Sequence, residues 1–118
     1  MENSSQPEFV TQLAEFLSPE DVNRALLLLR GDLLRLSGDM QAAVQAGDEK
    51  AFRGAAHAMC GAAASVGLEP LERICRAAMT RPDLGSQMSA SAAEIMALAS
   101  QNLTEIAAFL AAKDSPAS

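Results

Sequence analysis

The sequence contains no tryptophan, no tyrosine and only four phenylalanines in 118 residues, so aromatics make up 3% of it. β-Branched apolar residues are scarce as well. A chain so poor in the side chains that fit a pleated sheet is a bad candidate for a β-sandwich or barrel. Cysteine is nearly absent: Cys60 and Cys75 are too few and too widely spaced for a zinc framework. Both fall inside helical patterns, where a free cysteine behaves as a small hydrophobe. Their spacing allows a disulfide, but a reducing compartment disfavours one. Basic charge is also short, with nine Lys and Arg against fifteen Asp and Glu, for a formal net charge of −6. Nucleic acid is an improbable partner, because duplex binding begins with phosphate neutralisation.

Long apolar runs are missing too. The uncharged stretch Leu84 to Ala93 is rich in Ser and Ala and carries Gly85, which reads as no membrane span. No basic segment followed by an apolar run opens the sequence, so no secretory leader is visible. The expectation is a cytoplasmic protein without membrane insertion.

What is present is 49% hydrophobic residues, mostly Ala, Leu and Met, which are good helix formers. That fraction excludes a disordered chain, and 118 residues suit one domain spanning 1–118, with flexible ends at about 1–6 and 113–118. Helical periodicity divides it into five elements. Pro7 to Leu17 carries Phe9, Val10, Leu13, Phe16 and Leu17, after a polar lead Asn3-Ser4-Ser5-Gln6. Ser18-Pro19-Glu20-Asp21 is a start signal: an N-cap serine, proline at the first helical position, and carboxylates where the helix dipole favours them. The long helix that follows to about Ala46 carries Val22, Leu26, Leu29, Leu33, Leu36, Met40 and Val44 on one stripe, with Gly31 and Gly38 as weak points.

Gly47 stops that helix and Asp48 caps the next, which runs to Val66 and closes at Gly67. A fourth helix carries Leu71, Ile74, Cys75, Ala78 and Met79. A loop over Arg81 to Gly85 precedes a final helix from about Ser89 to Ala112, with a tail from Lys113 to Ser118. Short connections between amphipathic helices favour antiparallel neighbours. The expected fold is all-α, an antiparallel four-helix bundle of four long helices with an additional short N-terminal helix.

His57 is the only histidine. Phe52, Ala55 or Ala56, Met59, Ala63 and Val66 form the stripe that the third helix would bury, and His57 lies off it by helical phase. Its own face is assigned Arg53, Gly54, Cys60 and Gly61, three and four residues either side, and Ala64 two turns on. Two glycines in a helix interior each weaken it by about 1 kcal/mol, and are tolerated where something must approach the backbone closely. They serve either tight helix packing or clearance around the histidine for a docking partner.

The phrase His57-Ala58-Met59-Cys60-Gly61-Ala62-Ala63-Ala64-Ser65-Val66-Gly67-Leu68 resembles the signature of histidine phosphotransfer (Hpt) domains. That signature has a histidine, an apolar residue two positions on, Lys, Gly, a run of small residues, an apolar residue, Gly, and a Leu-like residue. The resemblance runs from Leu26 to Met79. It implies a phosphorelay intermediate in two-component signalling, with His57 carrying a phosphoryl group between receiver-domain aspartates. Its implied partners are the receiver domain of a hybrid sensor kinase or of a response regulator, and any Mg²⁺ would sit on that receiver. No cofactor, no autonomous kinase activity and a monomeric carrier are expected.

Two positions depart from the family pattern. Cys60 stands where the family has Lys, and Met79 where many members have a Gln or Glu that hydrogen-bonds the imidazole. Arg53 is the expected substitute cation, and Arg73 or Arg76 could touch an acidic receiver. The alternative reading is a helical adaptor or degenerate Hpt-like domain that binds a receiver or kinase without efficient phosphotransfer. A Cys60–His57 enzyme is disfavoured because an open helix face offers no oxyanion hole or cleft.

Overall fold

The computed structural model describes residues 6–114. Five helices follow in order: α1 (Glu8–Phe16), α2 (Pro19–Ala46), α3 (Glu49–Ser65), α4 (Glu69–Met79) and α5 (Leu84–Asp114). Helices α2 to α5 form the bundle and α1 rests on α2. The start and stop residues act as their chemistry dictates. Ser18 Oγ accepts from the Asp21 N–H at 3.2 Å with Pro19 at the first helical position. Asp48 accepts from the Ala51 N–H at 3.0 Å and opens α3. Gly47 and Gly67 adopt left-handed φ of 65° and 78°, a conformation that lets the chain reverse at the ends of α2 and α3.

One core runs the length of the bundle. The α2 stripe Val22, Leu26, Leu29, Leu33, Leu36 and Met40 is buried, and faces the α3 stripe Phe52, Ala56, Met59 and Ala63. Because α3 also packs on α4, it is buried along two flanks, which is why its core positions are mostly alanine. Small side chains let three helix axes approach.

The structure changes four expectations. Helix α5 begins at Leu84, not near Ser89: Leu84 is fully buried and Met88 nearly so, and this anchored turn draws Gly85 into the helix instead of a loop. By length and composition Leu84–Ala112 could cross a membrane, which the short stretch Leu84 to Ala93 did not reveal; here Leu84, Ile95, Ala99 and Ile106 pack into the bundle. Phe16 and Leu17 leave the α1 stripe: α1 ends at Phe16, and Phe16 is 83% exposed. Helix α4 is short, with Pro70 at its start and Thr80-Arg81-Pro82 after its end. The polar lead at 3–5 and the tail at 115–118 lie outside the described residues.

Glycine positions separate two physical roles. Gly31 has open space where a Cβ would stand, whereas Gly47 holds a φ that side chains rarely adopt. Gly31→Ala should raise the stability of the protomer by about 0.5–1 kcal/mol, and Gly47→Ala should lower it by about 1–2 kcal/mol, read from urea denaturation midpoints at low protein concentration.

Candidate functional site

Helix α3 is held by its buried stripe, and that fixes which residues face outward. Lys50, Gly54, His57, Ala58, Gly61, Ala64 and Ser65 are all exposed. Among the described residues none hydrogen-bonds the His57 imidazole. Its ring therefore stands on a rigid helix with both nitrogens open to a partner.

The glycines on either side explain the local shape. A Cβ built on Gly54 or Gly61 would meet nothing within 4 Å. Neither glycine is therefore required by a neighbouring helix of this chain, and the intrachain-packing explanation for them fails. What they leave is a bare strip of backbone one turn before and one turn after the histidine.

Not every residue assigned to the histidine's face lies on it. Gly54, Gly61 and Ala64 share the exposed surface with His57, but Cys60 is 6% exposed and belongs to the core. The position where the family pattern has Lys thus points to the α4 side here, and a small thiol fits where a lysine would have to snorkel. Arg53 is also committed elsewhere. Its guanidinium donates to the Met79 carbonyl, to the Arg81 carbonyl at 3.1 Å and to the Glu49 carboxylate at 2.7 Å. It clamps the carbonyl end of α4 and is no free cation beside His57. Met79 is half-buried against the core and brings no polar side-chain atom to the imidazole.

Sequence reasoning missed two features of this surface. Lys50 is an exposed cation on the His57 face, two turns upstream; the seven-residue spacing was the available signal. The second is apolar. Leu13, Leu17, Leu28, Leu29, Ala62 and Val66 line most of a groove of about 260 Å³ where α1, α2 and the end of α3 meet, with Asp32 and Ser65 also in its wall. Within it Leu28 stands 66% exposed and Leu17 37% exposed. The signal was the run Leu26-Leu27-Leu28-Leu29, since four consecutive helical residues sweep about 300° and cannot all face one core. Measured along α3, the groove starts roughly 7 Å beyond His57.

The all-helical bundle agrees with the fold that the motif implied. The Hpt domain family model matches residues 4–113, nearly the whole chain. The chain belongs to the Hpt domain family, and that membership supports a histidine phosphotransfer role in a phosphorelay. Domains of this family generally interact with receiver domains of kinases and response regulators. No curated protein and no solved structure gives a significant match.

Behind the site, Cys75 is fully buried, and burial together with the nearby Cys60 pushes its thiol up to about 12 from an ordinary 9.0. A raised thiol pKa means the fold holds the neutral form. Its contribution is complete below about pH 9 and is lost as pH climbs toward 12, where the unfolded chain ionises Cys75 and the folded protein does not. Unfolding free energy should therefore fall between pH 9 and 11, by up to roughly 1.4 kcal/mol per pH unit from this group. Urea midpoints across that range should decline less steeply in Cys75→Ala.

Proposed function

We propose that this protein is a phosphorelay intermediate that accepts a phosphoryl group on His57 from a receiver aspartyl phosphate and passes it to another receiver aspartate. The observation that carries this reading is the bare imidazole between Gly54 and Gly61, both with open space over the backbone. In the transfer, the unprotonated ring nitrogen attacks phosphorus. The N–P bond forms as the P–O bond to the receiver aspartate breaks, and the carboxylate leaves with the electron pair. Neutral imidazole is a competent nucleophile near pH 7, and the product is labile enough to hand the group on. Phosphoryl transfer is mainly positioning and charge neutralisation, with the receiver's Mg²⁺ supplying much of the latter.

In this reading three of the five supporting residues keep the role the sequence suggested, and Arg53 and Cys60 take another. Gly54, Gly61 and Ala64 give clearance, Lys50 is the cation free to approach the phosphoryl oxygens, and Arg53 and Cys60 act from behind by holding α3 against α4. The largely apolar groove bearing Leu17 and Leu28 is the dock for the receiver. An acidic carrier of net charge −6 meeting an acidic receiver needs such contact, because overall charge would oppose association. The reading places the protein in the cytoplasm, where receivers reside.

The missing imidazole partner at Met79 and the buried Cys60 favour one second reading, a domain that docks a receiver without efficient transfer. One experiment separates the two. Incubated with a receiver carrying labelled phosphate, the protein should gain acid-labile label, and His57→Gln should gain none. Label retained in His57→Gln contradicts the assignment. Binding without label in the unsubstituted protein favours the second reading.

The dock is tested separately. Leu17→Ala and Leu28→Ala should each weaken receiver binding roughly tenfold by calorimetry, with His57 still able to accept phosphate at saturating receiver.

A further inference from the structure

A cavity of about 490 Å³ opens where the start of α1, the turn between α3 and α4, and the second half of α5 come together. That volume falls in the range of small-molecule sites, about 300–1,000 Å³. The cavity shares no residue with the α1–α3 groove, and His57 is not in its wall, so the proposed phosphotransfer does not use it.

Its wall carries three carboxylates, Glu8, Glu69 and Glu105, and among the described residues no lysine, arginine or histidine. None of the three carboxylates is in an ion pair among the described residues. The bonds they do make are to neutral amides. Gln12 Nε2 donates to Glu8 at 3.4 Å, and Asn102 Nδ2 donates to Glu105 at 3.3 Å.

Carboxylates alone mark no more than a solvated acidic surface. Asn102 is the independent observation. Leu98, Gln101, Asn102 and Glu105 line the cavity at spacings that put them on one face of α5. The Asn102 side chain projects from the middle of that face into the cavity. It is 7% exposed, and its Oδ1 has no hydrogen-bond partner. A buried carbonyl oxygen without a donor is costly, and native structures leave few of them. The wall thus offers negative charge without a cation, and a buried acceptor without a donor.

A metal ion does not answer both needs. Among the described residues no three acidic groups converge closely enough to share one. The carboxylates are instead spread around apolar walls that include Phe9, Leu68 and Leu71. We infer that the cavity binds a linear polyamine, with ammonium groups against Glu8, Glu69 and Glu105 and methylene segments over Phe9, Leu68 and Leu71. The charges of a polyamine are separated along its chain, as these carboxylates are around the cavity. A single-headed amine would leave two of them unpaired. An ammonium group has several N–H donors, so the one held by Glu105 also serves Asn102 Oδ1. Glu8 and Glu69 are exposed and therefore screened by salt, which sets a modest affinity. Because Glu8 belongs to α1 and Glu69 to α4, the ligand also ties α1 to the bundle.

Isothermal titration of the full chain with spermidine at about 0.15 M salt should show a single saturable site with a Kd on the order of 100 µM. No saturable binding overturns the proposal. Glu69→Gln and Glu105→Gln should each weaken binding about fivefold, whereas Asp39→Asn, which removes the same charge from the exposed surface of α2, should leave it unchanged. An equal loss in Asp39→Asn means general attraction to an acidic protein and overturns the site, as does unchanged binding in both glutamate variants. Asn102→Leu should also bind about fivefold more weakly, with circular dichroism showing it folded as the parent, because it removes a buried oxygen that has no partner. Butylamine, with one charge, should bind at least about tenfold more weakly than spermidine, and equal affinity overturns the polyamine assignment. Spermidine should slow amide hydrogen exchange in α1; slowing confined to other helices overturns the placement.

Discussion

The burial of one stripe of α3 is the constraint on which the rest depends. Phe52, Ala56, Met59 and Ala63 must all lie between α2 and α4, and a helix pinned along two flanks has no freedom to rotate. A turn of one residue would move about 100° of surface and bring His57 toward the core. The direction of the imidazole is therefore set by hydrophobic packing on the opposite side of its helix. Removing Phe52 alone would cost about 3–5 kcal/mol, a large share of the stability of a domain this size.

The same constraint explains why the site has so few parts. A carrier needs a nucleophile in a fixed position with clearance around it, and little else, because its partners bring the remaining chemistry. Glycines at positions 54 and 61 supply the clearance at some loss of helix stability. Arg53 offsets part of that loss by tying α3 to the carbonyl end of α4, and Asp83 with Arg81 stiffens the turn beyond it, their bidentate pairing holding the Asp83 carboxyl below its usual range. The outer surfaces that remain are apolar in two places, the α1–α3 groove and the outer side of α2, where Leu27 and Leu34 are exposed.

Much of this was legible in the sequence. Caps at Ser18 and Asp48, stops at Gly47 and Gly67, and the leucine stripe of α2 follow from local chemistry that tertiary contacts only reinforced. The exposed histidine and its glycines followed from helical phase. The errors arose where phase was ambiguous or where a long-range contact decided. Cys60 lies about 60° from His57 around the helix, near the boundary between surface and core, and the proximity of α4 pulled it inward. Arg53 reaches carbonyls 26 and 28 residues away, which no local pattern reports. The start of α5 was hidden by Gly85, because the burial of Leu84 overrides a poor helix former. Phe16 matched the α1 stripe in spacing but lies at the helix end, beyond the surface that α2 covers.

The central claim is that the single imidazole is the phosphoryl carrier. Because the chain has one histidine, phosphorus-31 NMR of the protein treated with a phosphorylated receiver and then separated from it is unambiguous. The account predicts one phosphoramidate resonance, coupled to an imidazole nitrogen and lost on acidification. A protein that binds the receiver yet shows no such resonance, or carries its phosphate on another residue, would contradict it.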